Sequence, residues 1–269
     1  MDDCSPDDCP KICDEYARQD TRIKVIHKAG NEGLPYARKT GFENSVGDYI
    51  LNIDSDDFIE PNMVEKLYSH AISGNYDMIY CNYYEHSHSG KILREVPTFT
   101  NSNIVNIKKI VIDYKPGGGV VWNKLVKRNI YEKINFPKAS HSEDRYICIQ
   151  ILFFAQKIGY VNIALYHWVL HPESLNNNSK KGLEKYNGRY ENYQMTIAFL
   201  KEKYGENLSA FEPELTKRLK WIKETCPGNP KKIVKIIIKK ILCIILTENM
   251  LITIFNKLGD NNYKGKPLS

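Results

Sequence analysis

The sequence predicts an α/β fold in which a mixed, mainly parallel sheet is flanked by helices and followed by a helical extension. Short apolar runs alternate with helical patterns over residues 23–84, and this βαβ rhythm is typical of parallel sheets. Long polar segments of helical character follow at residues 182–204 and 206–225. A chain of 269 residues is long enough to bury a substantial core. We expect domain boundaries after residues 175 and 228, which leave a helical extension at 176–228 and a basic tail at 229–269.

The individual elements follow from local patterns. Strands are predicted where large apolar and β-branched side chains cluster between turn signals, at residues 23–27, 49–53, 78–84 and 163–168. Helices are predicted where apolar positions recur every three or four residues, at residues 5–16, 34–42, 61–67 and 142–155. The glycine loop at residues 30–33 separates the first strand from the second helix.

A cluster of carboxylates comes directly after the strand predicted at residues 49–53. Asp54, Asp56 and Asp57 lie at its carboxyl end, where open α/β sheets bind their ligands. Crowded carboxylates repel one another unless a cation joins them, and Mg²⁺ commonly takes one or two carboxylates together with substrate phosphates. The alternative is the acidic first turn of a solvated helix. Both interpretations remain open from these residues alone.

A second acidic pair, Glu143-Asp144, begins the helical run that Ser142 is suited to cap. The two carboxylates either complement the helix dipole or take part in chemistry. Upstream, Trp122 offers a flat face for a sugar ring or, equally, a side chain for the core. The glycine run at residues 117–119 lacks the Lys-Ser/Thr end of a phosphate-binding P-loop.

Composition is typical of an ordinary soluble enzyme, with a basic C-terminal tail as the exception. Lysine and arginine total 38 against 32 acidic residues, a net charge of +6, and lysines are dense after residue 230. The seven cysteines show no paired spacing typical of a zinc site. We therefore expect free thiols in a reducing cytosol.

The motifs, taken in order, resemble those of bacterial family 2 glycosyltransferases of the GT-A fold. The resemblance extends from Asp2 to about Ser174 and rests on Asp2-Asp3-Cys4-Ser5, Arg38, Asp54-Ser55-Asp56-Asp57, Trp122-Asn123-Lys124-Leu125, Glu143-Asp144 and Tyr166-His167-Trp168. It implies a nucleotide-diphosphate sugar as donor, with UDP as the expected nucleotide, and Mn²⁺ or Mg²⁺ as cofactor. It also implies an inverting reaction.

The resemblance assigns roles residue by residue. The implied donor-binding residues are Asp2, Asp3, Arg38, Asp54 and Asp56. Among them, Asp56 would ligate the metal, and Asp54 would face the ribose or a metal-bound water. Asp144 matches the general base. Trp122, Lys124 and Glu143 are the expected acceptor-binding residues.

The chain departs from the family pattern at three places. Cys4 replaces a glycine, and His171 lies in the region where relatives often carry an arginine. Family members also have a strand, a helix and a second strand before the Asp-Asp-x-Ser segment, and Met1 stands where that second strand would end. We expect the sequence to be a fragment that turns over no substrate, because the predicted strand at residues 23–27 lacks a neighbour.

The C-terminal segment at residues 231–246 has an amphipathic pattern. Its apolar face consists of Ile233, Val234, Ile237, Ile241, Ile244 and Ile245, and Lys231, Lys232, Lys235 and Lys239 group on another face. The pattern predicts an interfacial helix on an anionic membrane, with a helix docked on the protein or a spanning helix as alternatives. The expected location is the cytoplasm, peripheral on the inner face of the membrane.

The leading hypothesis is a metal-dependent glycosyltransferase that moves a hexose or N-acetylhexosamine to a polysaccharide or lipid-linked glycan. The alternative is a truncated, inactive remnant with a membrane-binding tail. A metal-binding structural domain would explain the aspartate cluster but not Arg38, Trp122 and Asp144. No nucleic-acid partner is expected.

Overall fold

The computed structural model describes residues 1–98, 118–172 and 182–205, together with residues 213, 215–217, 220 and 222. Residues 1–219 form one compact unit, and residues 220–269 form a second. The predicted domain boundaries after residues 175 and 228, most of the predicted helix at 206–225, and the tail segment at 231–246 lie outside the described residues. Within the described part of the chain, no helix is both long and apolar enough to cross a bilayer.

Five of the six described helices overlap predicted ones, and the short helix at Arg128–Tyr131 was not predicted. The six are α1 (Cys9–Gln19), α2 (Leu34–Glu43), α3 (Met63–Gly74), α4 (Arg128–Tyr131), α5 (Glu143–Phe154) and α6 (Gly182–Tyr204). Helix α1 begins later than the predicted start at Ser5-Pro6, because the Asp7 carboxylate accepts a hydrogen bond from the Cys9 N–H and Pro10 occupies the first turn. Helix α3 ends at Asn75 in the left-handed conformation that favours helix termination.

The described strands form one mixed sheet. They are β1 (Tyr49–Leu51), β2 (Phe58–Ile59), β3 (Met78–His86), β4 (Ile92–Val96), β5 (Lys124–Lys127) and β6 (Ile158–Val169). The strand order is β1-β5-β3-β6-β2, with β4 also paired to β3. Only β3 and β6 are parallel among these strands, and the other four pairs are antiparallel. The sheet is mixed as predicted, but it contains fewer parallel strand pairs than predicted. The βαβ pattern early in the chain does not show that a later strand, β5, pairs between β1 and β3.

The predicted strand at residues 23–27 is reduced to a single bridge. Asp2 pairs with His27 in parallel, as the Asp2 N–H donates to the Ile26 carbonyl at 2.9 Å and the Lys28 N–H donates to the Asp2 carbonyl at 3.0 Å. Ile23 is exposed. Among the described residues no longer ladder extends this bridge, so the local apolar run does not become a strand of the sheet.

The core lies between α3 and the sheet. Met63, Leu67 and Ala71 form the inner face of α3 and are completely buried. They pack with Trp122, which precedes β5, and with sheet residues in a single apolar cluster that includes Ile79, Cys81, Tyr83, Leu125, Leu165 and Tyr166. Burying a side chain such as Leu67 contributes about 2 kcal/mol. This packing fixes the positions of β1 and β6, and the polar residues of the site lie on or next to these strands.

Candidate active site

Arg38 is the centre of a buried ion cluster. Its side chain is 7% exposed, and its Nη2 donates to Oδ1 of Asp54 at 2.8 Å. Nη1 donates to Oε1 of Glu143 at 2.9 Å and to Oδ1 of Asp144 at 2.5 Å. The carboxylates come from the loop after β1 and from the first turn of α5. One guanidinium on α2 therefore joins the two acidic motifs that the sequence singled out.

The cluster holds more negative than positive charge, and its pKa values reflect this. Burial opposes the charged form of Arg38, but the carboxylates, Asp144 first, raise its pKa overall. Burial also raises the pKa of Glu143, assisted by the charge of Asp144, and burial raises the pKa of Asp144 against the effect of Arg38. The side chain of Glu143 is 7% exposed and that of Asp144 is 18% exposed. Glu143 is therefore the more buried of the two carboxylates, and Asp144 is the more exposed.

Asp57 attaches the acidic loop to strand β6. Its Oδ2 accepts a hydrogen bond from the Tyr166 hydroxyl at 2.7 Å, and its Oδ1 accepts one from the Val169 N–H at 2.8 Å. The Tyr166 hydroxyl in turn accepts a bond from the Asp54 N–H at 3.2 Å. Burial raises the pKa of Asp57 to about 6. Asp57 and Tyr166 thus hold the loop in one conformation and leave its other carboxylates for different contacts.

Asp56 is the exposed carboxylate of the same loop. Its side chain has no hydrogen bond or ion pair with any described residue, and its main-chain carbonyl lies 3.3 Å from Nε2 of His171. Across the described residues, no group of three or more His, Cys, Asp or Glu side chains is placed to hold a metal ion. A single exposed carboxylate fits a magnesium-type site in which substrate phosphates supply further ligands.

Asp2 belongs to a second polar cluster near the N-terminus. Its Oδ1 accepts from the Ser5 N–H at 3.0 Å, and its Oδ2 lies 2.9 Å from Nδ1 of His27. The other ring nitrogen of His27 lies 2.9 Å from Oδ1 of Asp14 on α1. The hydrogen bond from His27 lowers the pKa of Asp2 to about 2, and the two carboxylates raise the pKa of His27. The imidazole therefore bridges α1 to the start of the chain.

Asp3 organises the glycine loop. Its Oδ2 accepts from the Gly33 N–H at 2.7 Å, and its Oδ1 accepts from the Glu32 N–H at 3.1 Å. Gly33 has a φ of +88°, a conformation that glycine adopts without strain. The loop leads directly into α2, so Asp3 helps to set the position of the helix that carries Arg38.

Trp122 and Lys124 lie in the core beneath the site. Trp122 is 4% exposed, stacks on Tyr166 at 4.2 Å between ring centroids, and meets the edge of Tyr83 at 4.8 Å. Lys124 is fully buried, and its Nζ donates to the Val120 carbonyl at 2.5 Å. Burial lowers the pKa of Lys124. These positions favour the core interpretation of Trp122 and do not support acceptor contacts by either side chain.

Comparison with known proteins identifies the family. The family model described as Glycosyl transferase family 2 matches residues 1–134. EpsH of Bacillus subtilis, which carries a provisional glycosyltransferase name, is 33% identical over 223 residues, or 80% of this chain and 63% of EpsH. The glycosyltransferase GlyG of Streptococcus pneumoniae is 27% identical over 175 residues, or 62% of this chain and 58% of GlyG. The chain belongs to glycosyltransferase family 2.

The solved structures that resemble this family 2 chain share its GT-A fold. TarS 1–349 of S. aureus, solved in complex with UDP, superposes with a TM-score of 0.58 at 18% identity and covers 97% of this chain and 69% of TarS. The mannosyltransferase PcManGT of Pyrobaculum calidifontis, solved with GDP-Man and Mn²⁺, gives a TM-score of 0.55 at 11% identity, with 98% and 70% coverage. The chain spans about 60% of the two curated relatives named above.

The fold brings some of the family 2 motif residues together and leaves others apart. Arg38, Asp54, Glu143 and Asp144 share one cluster, whereas no described contact joins Asp2 or Asp3 to it. Sequence reasoning did not assign roles to Asp57 or Tyr166. The Tyr166-His167-Trp168 motif drew attention to Tyr166. The sequence could not show that the Tyr166 hydroxyl bonds to Asp57, because the two residues are 109 positions apart.

Proposed function

We propose that this chain is the catalytic part of an inverting, metal-dependent glycosyltransferase. It moves a hexose or N-acetylhexosamine from a nucleotide-diphosphate sugar to a polysaccharide or lipid-linked glycan. The observation that carries the proposal is the buried Arg38, which joins the acidic loop after β1 to the acidic turn at the start of α5. In this proposal, Arg38 holds the donor site at the acidic loop next to the proton-accepting carboxylate of α5.

The donor class is supported by the solved relatives. TarS was solved with UDP and with UDP-GlcNAc, and PcManGT with GDP-Man and Mn²⁺. In this chain, Asp56 is the residue that would hold the divalent ion, and Asp54 lies two residues away, bound to Arg38. A bound Mn²⁺ or Mg²⁺ would stabilise the negative charge of the diphosphate leaving group.

Asp144 is suited to act as the general base. Arg38 lies 2.5 Å from it and favours its ionised form, while the more deeply buried Glu143 is the better site for a proton. As the acceptor hydroxyl oxygen bonds to the anomeric carbon, its proton passes to Asp144 and the bond from that carbon to the diphosphate oxygen breaks. Attack from the face opposite the leaving group inverts the anomeric configuration.

The proposal includes attachment of the C-terminal tail to the membrane surface. The alternation of isoleucines and lysines over residues 231–246 suits binding to an anionic membrane surface. Peripheral attachment on the cytoplasmic face would bring the enzyme close to lipid-linked acceptors.

The test compares turnover of the wild type, which if observed would itself refute the expectation of an inactive fragment, with that of Asp144→Asn. Release of nucleotide from UDP-GlcNAc and from GDP-mannose is measured with water or a supplied glycan as acceptor. We expect kcat to fall by about 10² to 10⁴-fold in Asp144→Asn with donor affinity unchanged. Asp48→Asn, which alters an exposed carboxylate outside the cluster, should behave as wild type. Normal turnover in Asp144→Asn combined with a loss in Glu143→Gln would transfer the role to Glu143.

A further inference from the structure

Helix α6 reaches back to the turn that precedes the proposed catalytic base. Asn192 on α6 is 1% exposed, and its Nδ2 donates to the Ala139 carbonyl at 2.8 Å and to the His141 carbonyl at 2.9 Å. Its Oδ1 is buried and has no hydrogen-bond partner among the described residues. Both neighbours of the amide are acceptors, so the nitrogen must face the turn. A buried amide with an unsatisfied oxygen is costly, which indicates that the two bonds to the turn matter.

The same turn is packed tightly from two sides. Gly188 lies one helical turn before Asn192, and a Cβ there would come within 3.3 Å of the Cβ atoms of Ala139 and His141. At the glycine loop, a Cβ at Gly33 would lie 2.8 Å from Oγ of Ser140. The segment at residues 139–141 is therefore held between α6 and the glycine loop.

The turn ends in a strained conformation that needs such support. Ser142 has a φ of +64°, a left-handed conformation that is unfavourable for a residue with a side chain and persists only where surrounding contacts enforce it. Glu143 and Asp144 follow immediately as the first turn of α5. A shift of residues 139–141 would pass directly to the carboxylates that Arg38 binds.

We propose that Asn192 is a positioning residue that, with Gly188, acts through the turn at residues 139–142 on Asp144. The proposal rests on the proposed role of Asp144. It assigns a catalytic purpose to α6, which lies outside the residues 1–134 that the family model matches. The helical extension is then a part of the active site's framework and not an appendage.

The test uses the full chain and the hydrolysis of UDP-GlcNAc and GDP-mannose. Asn192→Ala removes both hydrogen bonds, and Gly188→Ala pushes on the turn. In both variants we expect kcat to fall by about 10 to 100-fold, while the KM for the donor changes less than about 2-fold, because small misplacements of a catalytic group are costly. Thr196→Val is the matched control: Thr196 is equally buried on α6, but its hydroxyl donates to the Asn192 carbonyl within the helix. Gly41→Ala, a helical glycine with nothing near its Cβ position, is the control for Gly188→Ala.

A double variant separates the positioning role from a general loss of stability. Adding Asn192→Ala to Asp144→Asn should cause no further loss of kcat, since the group being positioned is already disabled. Fully additive losses, or unchanged kcat in Asn192→Ala, would overturn the inference. If Asp144→Asn itself turns over normally, the proposed function is at fault. In that case, or if the chain shows no measurable turnover, hydrogen exchange of residues 139–146 decides the inference. Faster exchange in Asn192→Ala but not in Thr196→Val supports it, and equal exchange refutes it.

Discussion

Nη1 of Arg38 lies 2.5 Å from Oδ1 of Asp144, although 106 residues separate them in the sequence. The contact connects α2 to the first turn of α5 and places the proposed base beside the only cation that the described cluster contains. Stability and the proposed catalysis are therefore linked at this guanidinium, and changes to its partners are expected to affect both.

Replacing Arg38 should destabilise the protein strongly. Arg38→Met leaves three carboxylates crowded without their counter-charge, and removing one partner of a buried ion cluster costs about 3–5 kcal/mol in the free energy of unfolding. Urea denaturation measures the loss. Arg22→Met is the control, because Arg22 pairs with Asp20 at an exposed position, where solvent screens the pair and its contribution to stability is small. A loss below about 1 kcal/mol for Arg38→Met would contradict the structural role of the cluster.

Donor binding should require a divalent cation at Asp56. We expect calorimetry to show that UDP binds more tightly with Mn²⁺ than in EDTA, because the cation joins the carboxylate to the diphosphate. Asp56→Ala should abolish the difference, whereas Ser55→Ala, a change at the adjacent exposed residue, should preserve it. Equal affinity in Mn²⁺ and EDTA for the wild type would refute the metal assignment.

Turnover should fall with acidification at a higher pH than an ordinary aspartate would cause. Asp144 accepts a proton only when ionised, and burial raises its pKa above the ordinary value of about 3.9. Protonation therefore removes the active form progressively as the pH decreases through that raised pKa. A profile of kcat from about pH 4 to pH 9 measures the midpoint. A kcat that stays constant down to about pH 4 would show that Asp144 is not the base.

The bridge formed by His27 should stabilise the protein most at mildly acidic pH. The pKa of His27 is raised in the folded state, so its contribution is complete below about 6.5 and is lost as the pH rises through the raised value. The pKa of Asp2 is lowered to about 2, so its contribution is present above about 3.9 and is lost as the pH falls towards 2. Both contributions are therefore present between about pH 4 and pH 6.5.

Urea denaturation of the wild type and His27→Gln at about pH 5 and pH 9 measures this dependence. The difference between the two proteins should be larger at the lower pH. His70→Gln serves as the control, because the His70 ring bonds to the Lys66 carbonyl of its own helix and, among the described residues, to no carboxylate. A His27→Gln difference that is equal at both pH values would contradict the prediction.

The tail should bind anionic bilayers peripherally. Each lysine near such a surface contributes about 1 kcal/mol, so co-sedimentation with phosphatidylserine vesicles should weaken with salt and in Lys235→Glu. Neutral phosphatidylcholine vesicles provide the control. Retention that salt does not reduce would indicate a spanning helix, and no retention would indicate a helix docked on protein.

Local patterns predicted most elements of this fold because they depend on neighbours in the sequence. The periodicity of α5 and the apolar runs of β3 and β6 are visible without any knowledge of their partners. The run at residues 23–27 has a similar local pattern, yet it forms only a bridge to Asp2. A strand forms only when a neighbouring strand pairs with its backbone hydrogen-bonding groups, and the local sequence does not show whether such a neighbour is present.

The sequence alone identified Asp54, Asp56 and Asp144 as candidates, since carboxylates at a strand end and at a helix start are recognisable from local order. The tertiary structure decided their different circumstances: Asp54 and Asp144 share Arg38, Asp56 is left exposed, and Trp122 and Lys124 turn into the core. These outcomes depend on which side of each loop faces the packed interior. The orientation of each loop is decided by contacts between residues roughly a hundred positions apart. Local sequence patterns do not reveal the energies of these contacts.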